Sequence, residues 1–150
     1  MIDRFEKFSL AIAEIYRYWH KLASEELSVY GLKGSHATYL TALYRYDEGI
    51  TVPELCEVCG KDKSDASRMI AILEKKGLVT KQAIGGSNYR GKLFLTNEGK
   101  QAAKSICDTI SRAVEVAGKD LSNENRDIFY EALESITSNM RKLSKEGIPK

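Results

Sequence analysis

The sequence predicts a mainly α-helical protein with a small β-hairpin wing, a winged helix-turn-helix flanked by long N- and C-terminal helices. Three observations predict it. Apolar residues recur every three or four positions through most of the chain, the period of an amphipathic helix. A short helix, a tight turn and a longer helix follow one another over residues 51–76. Immediately afterwards the period drops to two and is interrupted by Gly85-Gly86, the pattern of a hairpin.

Residues 3–29 read as one helix. Phe5, Phe8, Ile12, Ile15, Trp19, Leu22 and Ala23 line one side, widened by Tyr16 and Tyr18. Gly31 stops it. A second helix spans residues 35–46, with Ser35 as its N-cap. After the turn at Asp47-Glu48-Gly49, the run Thr51-Val52-Pro53-Glu54 is a capping box: a threonine cap, a proline in the first turn and a glutamate reaching back. That short helix runs through Val58 and closes at Gly60. Asp62 caps the next, which reaches about Lys76 with Ala66, Met69, Ile70 and Leu73 on its apolar side and Gly77 at its end. Residues 78–84 and 89–95 are strands, joined by a turn at Gly85-Gly86-Ser87-Asn88. Thr96-Asn97-Glu98 starts a helix over 97–117 with Ala103, Ile106, Ile110, Ala113 and Val114 as its stripe. Ser122 and its neighbours start the last helix, with Ile128, Phe129, Ala132, Leu133, Ile136, Met140 and Leu143 on one side.

Composition narrows the class. A chain of 150 residues, 43% hydrophobic and 29% charged, fits one globular domain and not a disordered segment. No apolar run approaches the ~20 residues that span a bilayer. The opening Met1-Ile2-Asp3-Arg4-Phe5-Glu6 has no apolar core of a signal peptide. Three cysteines are too few for a disulfide scaffold, so a reducing cytoplasm is expected. The net charge of +2 is unevenly spread: residues 75–92 hold Lys75, Lys76, Lys81, Arg90 and Lys92 and no acid. Such a run is an electrostatic footprint for a polyanion, or, on charge alone, a solvated basic loop.

At this point the chain resembles the MarR family of winged helix-turn-helix regulators. The residues that carry the resemblance are Gly31-Leu32, Glu54-Leu55-Cys56, Asp62-Lys63-Ser64-Asp65-Ala66-Ser67-Arg68, Leu73-Glu74-Lys75-Lys76-Gly77-Leu78-Val79 and Leu95-Thr96-Asn97-Glu98-Gly99. They lie in the family's order and spacing over residues 31–99, and the flanking helices agree in length. Three positions depart from the pattern. Asn88-Tyr89-Arg90 replaces an Asp-x-Arg on the wing, Asp65 stands where a small polar residue is common, and Lys61 replaces an apolar turn residue.

The resemblance implies a single domain over 1–150. Residues 31–99 form the DNA-binding lobe, and 1–30 and 100–150 supply helices that interleave with a second subunit. It implies a homodimeric transcriptional regulator of double-stranded DNA, a repressor of a pseudo-palindromic operator, released by a small aromatic or amphipathic effector. The helix starting at Lys63 would enter the major groove and offer Lys63, Ser64, Asp65, Ser67 and Arg68. Arg68 would pair with a guanine edge or clamp a phosphate, and Asp65 would accept from a cytosine amine or complete the N-cap. Lys75, Lys81, Asn88, Arg90 and Lys92 would serve the flanking backbone and minor groove. Tyr16, Trp19, His36, Tyr39 and Tyr44 are candidates for an effector pocket, or are core aromatics.

Other classes find less support. Cys56 and Cys59 sit at helical spacing and read as buried small hydrophobes, with thiol or metal sensing as the alternative. Four zinc ligands are not evident, so no metal is expected. His20 and His36 have no nucleophile beside them and no glycine-rich phosphate loop is present, so no catalytic residue, cofactor or enzymatic activity is expected. A winged helix used to bind protein would present a neutral or acidic face, against the basic run.

Overall fold

A computed structural model describes residues 3–84 and 87–150, with the side chains of 84 and 87–90 outside that description. Helix α1 (Arg4–Leu27) is capped by Asp3 and ends in a 3-10 turn, Ser28–Tyr30. Helix α2 (Gly34–Arg45) begins one residue before Ser35, so Ser35 is not its cap. The cap is Lys33, whose side chain accepts nothing. Its backbone N–H instead donates to His36 Nδ1 at 3.0 Å, and the Gly34 N–H donates to Ser24 Oγ on α1 at 2.6 Å. A neighbouring helix thus supplies the acceptor that local sequence was expected to provide. Only glycine fits at 34, because a Cβ there would stand 2.6 Å from the His20 carbonyl oxygen.

A two-residue strand, β1 (Ile50–Thr51), precedes α3 (Val52–Cys59). The capping box forms as expected: Glu54 accepts from the Thr51 N–H and hydroxyl, each at 2.9 Å, and Thr51 Oγ1 accepts from the Glu54 N–H at 3.4 Å. Helix α4 (Lys63–Lys75) is capped by Asp62, whose carboxylate accepts from the Asp65 N–H at 2.7 Å. Strands β2 (Val79–Ile84) and β3 (Ser87–Leu95) form the hairpin, and β1 adds to its far edge in the order β1-β3-β2. Ile50 faces Leu93 and Val79 faces Leu95 across the antiparallel ladders. Ser87 pairs with Ile84, so Ser87 and Asn88 belong to β3 and not to the turn. Gly85 and Gly86 lie outside the described residues. Helices α5 (Asn97–Ala117) and α6 (Asn123–Glu146) complete the chain, the latter capped by Ser122.

The chain divides into two compact units, one ending at Arg112 and the other spanning Ala113–Lys150. In the first, Leu27, Tyr39, Leu40, Leu55, Leu73, Leu93 and Ile106 are fully buried. The helical period puts one such face on each helix and leaves the other polar. On α1 the rule fails: Phe5, Leu10 and Ile15 are 71%, 62% and 62% exposed. In the second unit, α6 buries no side chain and exposes Ile128, Phe129 and Met140. Among the described residues no helix is long and apolar enough to cross a membrane.

A clasp joins α4, the hairpin and α5. Gly77 ends α4 at φ +72°, a conformation that costs other residues a clash between Cβ and backbone. The Gly77 and Leu78 N–H groups then donate back to Glu74 and Leu73, each at 2.9 Å. The Thr96 N–H donates to the Leu78 carbonyl at 3.0 Å, the Thr96 hydroxyl donates to the Gly77 carbonyl at 2.6 Å, and the Gly99 N–H donates to Thr96 Oγ1 at 3.0 Å. Gly99 permits this approach, since a Cβ there would lie 1.9 Å from the Leu78 oxygen, a backbone atom. Gly99→Ala is therefore expected to lower stability by about 3 kcal/mol, the upper range for overpacking. Thr96→Val is expected to lower it by about 1 kcal/mol through loss of the cap. Urea unfolding checks both; an alanine at 99 that leaves the midpoint unchanged would show that the clasp yields.

Candidate nucleic-acid interface

The first two turns of α4 carry the candidate reading residues. Ala66, Ile70 and Leu73 face the core, so the intervening Lys63, Ser64, Ser67 and Arg68 face water. The free N–H groups at this helix end carry partial positive charge, which Asp62 and the incoming ligand share. Lys75 is exposed in the last turn of the same helix. On the hairpin, Lys81 is exposed and Lys92 is half-buried. The Lys81 stem lies over Gly91, where a Cβ would sit 2.9 Å from Lys81 Cε, so glycine at 91 makes room for that side chain. Lys92 sits opposite Thr51 in the ladder. Hydrogen bonds from the Thr51 N–H and hydroxyl hold the Glu54 carboxyl below its usual range, and the Lys92 charge pushes the same way. Asn88 and Arg90 have side chains outside the described residues.

Asp65 does not complete the N-cap; Asp62 already does. Its half-buried carboxylate has two other partners. Oδ2 accepts from the Tyr39 hydroxyl at 2.5 Å, and Oδ1 accepts from Arg68 Nη2 at 3.3 Å. Burial, then the Asp65 hydrogen bond and charge, raise the Tyr39 phenol pKa well above its ordinary value. Sequence separation hid this pairing, because Tyr39 and Asp65 are 26 positions apart. One signal was available: two acids in one helix start leave one of them without a capping job.

The five aromatic and histidine candidates do not converge. Tyr16 and Trp19 line an open cleft of about 670 Å³ with Ile12, Ile15, Arg45 and Lys61. Tyr44 lines a separate cavity of about 460 Å³ with Tyr46, Asp47, Phe94 and Lys100. Tyr39 and His36 are buried. His36 Nδ1 accepts from the Lys33 N–H, which requires the neutral ring. Burial holds the His36 pKa below its ordinary value, and the charges of Lys33 and Lys76 also lower it.

The cysteines sit as packing residues. Cys56 and Cys59 are partly buried against the core, and the Cys59 thiol donates to the Thr38 carbonyl at 3.8 Å. Burial pushes the Cys59 thiol up to about 11 and raises Cys107 as well. Among the described residues no group of three or more histidine, cysteine or acidic side chains is placed to hold a metal ion.

A helix-turn-helix with an exposed polar start to its second helix, followed by a lysine-bearing hairpin, defines the class of winged helix-turn-helix transcriptional regulators. Residues 30–86 match the model of the MarR family, and the chain has the fold of solved MarR-type regulators. It is similar to a MarR transcriptional regulator from Methanosarcina mazei Go1, with a TM-score of 0.83, 26% identity, and coverage of 92% of this chain and 99% of that one. A Listeria monocytogenes structure, described as a MarR family transcriptional regulator complexed with 26mer DNA, has a TM-score of 0.81 at 24% identity, covering 100% and 99%. The S. aureus MepR–DNA complex has a TM-score of 0.76 at 17% identity, covering 88% and 97%. These last two speak to the fold alone. No curated protein matches the chain.

Two outcomes follow from the buried groups. A histidine whose folded pKa is depressed stabilises the fold above its unfolded pKa of about 6.5 and loses that contribution as pH falls toward the folded pKa. The urea midpoint is thus expected to fall from pH 7 to pH 5, and to fall less in His36→Gln; equal slopes would mean that His36 protonates freely in the folded chain. For Cys59, a thiol near 11 in place of 9 holds about a hundredfold less thiolate at pH 8. Because a thiolate of higher pKa is the stronger nucleophile, native Cys59 is expected to react with a disulfide reagent at least about tenfold more slowly than the unfolded chain, and fast labelling would overturn its role as a packing residue.

Proposed function

We propose that the chain is a homodimeric repressor that reads a pseudo-palindromic operator in double-stranded DNA. The observation that carries this reading is the exposed polar start of α4 followed by the acid-free run 75–92, whose Lys81 and Lys92 sit on the hairpin strands. Lys63, Ser64, Asp65, Ser67 and Arg68 read base edges, while Lys75, Lys81, Asn88, Arg90 and Lys92 hold phosphates and the adjoining minor groove. The DNA complexes of the Listeria monocytogenes and S. aureus relatives support a DNA ligand for this fold.

Residues 31–99 act as the DNA-binding lobe, and the helices within 1–30 and 100–150 form the dimer. The exposed apolar side chains of α1 and α6 support this, because patches of that kind mark interaction surfaces. A small aromatic or amphipathic effector fits the cleft holding Tyr16 and Trp19. Its binding would change the spacing of the two recognition helices and so weaken operator binding.

Fluorescence anisotropy of the purified protein on its own upstream DNA, across a salt series, tests the reading. Nanomolar binding is expected, with at least ~10³-fold weaker binding to a random duplex. Arg68→Ala should lower operator affinity by about 1–3 kcal/mol and relax preference at one base. Lys75→Ala should weaken both duplexes alike and reduce the salt slope by about 1. Equal, weak binding to both DNAs by the wild type would count against autoregulation; failure to select any sequence from a random library would count against DNA reading.

A further inference from the structure

We propose that Tyr39 is a positioning residue for DNA discrimination: its buried hydroxyl fixes Asp65, which holds Arg68 off phosphates and yields it to a guanine edge. The inference rests on α4 being the reading helix. Three groups run from core to surface. Tyr39 is fully buried on α2 and gives its hydroxyl to Asp65 Oδ2 at 2.5 Å. The Asp65 side chain is 25% exposed, and its Oδ1 meets the Arg68 guanidinium, itself 72% exposed, at 3.3 Å.

Asp65 has no capping task, and its charge opposes the approach of a polyanion. Asp62, Lys63, Asp65 and Arg68 together carry no net charge, so the start of α4 offers little attraction for phosphate as such. That attraction is left to residues 75–92. With Oδ2 committed to the phenol, only Oδ1 turns outward. Arg68 leaves it for a partner that offers two aligned acceptors, which guanine O6 and N7 do. A phosphate beside Asp65 competes poorly, because the carboxylate repels it. Once Arg68 has turned to guanine, Oδ1 is free to accept from a cytosine or adenine amine. Selectivity built this way comes from penalising wrong DNA as well as rewarding the right one.

The test uses the full chain and two duplexes of equal length: one selected by the wild type from a randomised library, the other a scrambled sequence. Anisotropy is followed against salt for the wild type, Tyr39→Phe and Asp65→Asn. Tyr39→Phe keeps every charge, so its salt slope on scrambled DNA should not change, while the ratio of selected to scrambled affinity should fall about tenfold, the discrimination of one base contact. A merely structural Tyr39 would weaken both duplexes alike and leave the ratio intact, which overturns the proposal. Asp65→Asn keeps an acceptor for the phenol but frees Arg68. It should bind scrambled DNA more tightly, with a slope steeper by about 0.9, one added phosphate contact. Should Tyr39→Phe fail to fold, this second variant decides, and an unchanged slope overturns the proposal. A wild type that enriches no duplex overturns the DNA reading of α4 itself, a separate result.

Discussion

The clasp around Gly77 and Gly99 is the constraint on which the lobe depends. Within a few residues it joins the end of the reading helix, the first hairpin strand, the last hairpin strand and the start of α5. Two of its hydrogen bonds, from the Thr96 N–H to the Leu78 carbonyl and from the Thr96 hydroxyl to the Gly77 carbonyl, cross between elements, so a tilt of one against the other leaves polar groups unpaired. Two glycines make it possible for different reasons. Gly77 supplies a left-handed turn, and Gly99 supplies absence, because its missing Cβ is the space occupied by the Leu78 carbonyl. Helix α4 and the hairpin are therefore tied at this point to each other and to α5.

Across α4 and the hairpin the charges are unevenly spread. The run 75–92 concentrates positive charge at the far end of α4 and along the hairpin, where it attracts any polyanion and steers its approach. The first turns of α4 are electrically balanced by comparison, with acids at 62 and 65 interleaved with Lys63 and Arg68. Under the proposed function, attraction without sequence content and reading without net attraction would fall on different residues.

Much of this was legible in the sequence, and what was not has a common cause. Helix positions followed from apolar period, and the starts at Thr51, Asp62 and Ser122 followed from side chains that satisfy orphan N–H groups within three residues. Those are local rules acting on local partners. The start of α2 escaped because its acceptor, Ser24, lies on another helix, so Ser35 was the obvious but wrong choice. Strand β1 escaped because two residues carry no period, and Ile50 becomes a strand only by pairing with Leu93. The hairpin turn read too long because Ser87 is turn-prone in isolation yet is held in register by Ile84. The link from Tyr39 to Asp65 escaped for the same reason. The sequence points to both residues but for separate jobs, since spacing along a chain says nothing about a contact between two helices.

The exposed apolar face of α1 is best understood against this background. Covering one large apolar side chain contributes about 1.5–3 kcal/mol, and Phe5, Leu10 and Ile15 all stand mostly in water. Exposed apolar patches of this kind mark interaction surfaces, and in the proposed dimer a second copy covering this one would tie folding to association. Two copies reading a two-fold site must hold their recognition helices about 34–36 Å apart, one turn of the duplex. In the proposed dimer, with α4 tied to the hairpin and to α5 by the clasp, that spacing would be adjusted on the helices that lead away from it. The first turn of α5 is joined through Thr96 to the Gly77 and Leu78 carbonyls at the end of α4. Under the proposed function, a ligand that shifted α5 would need to touch nothing on the DNA face to change how that face meets its site.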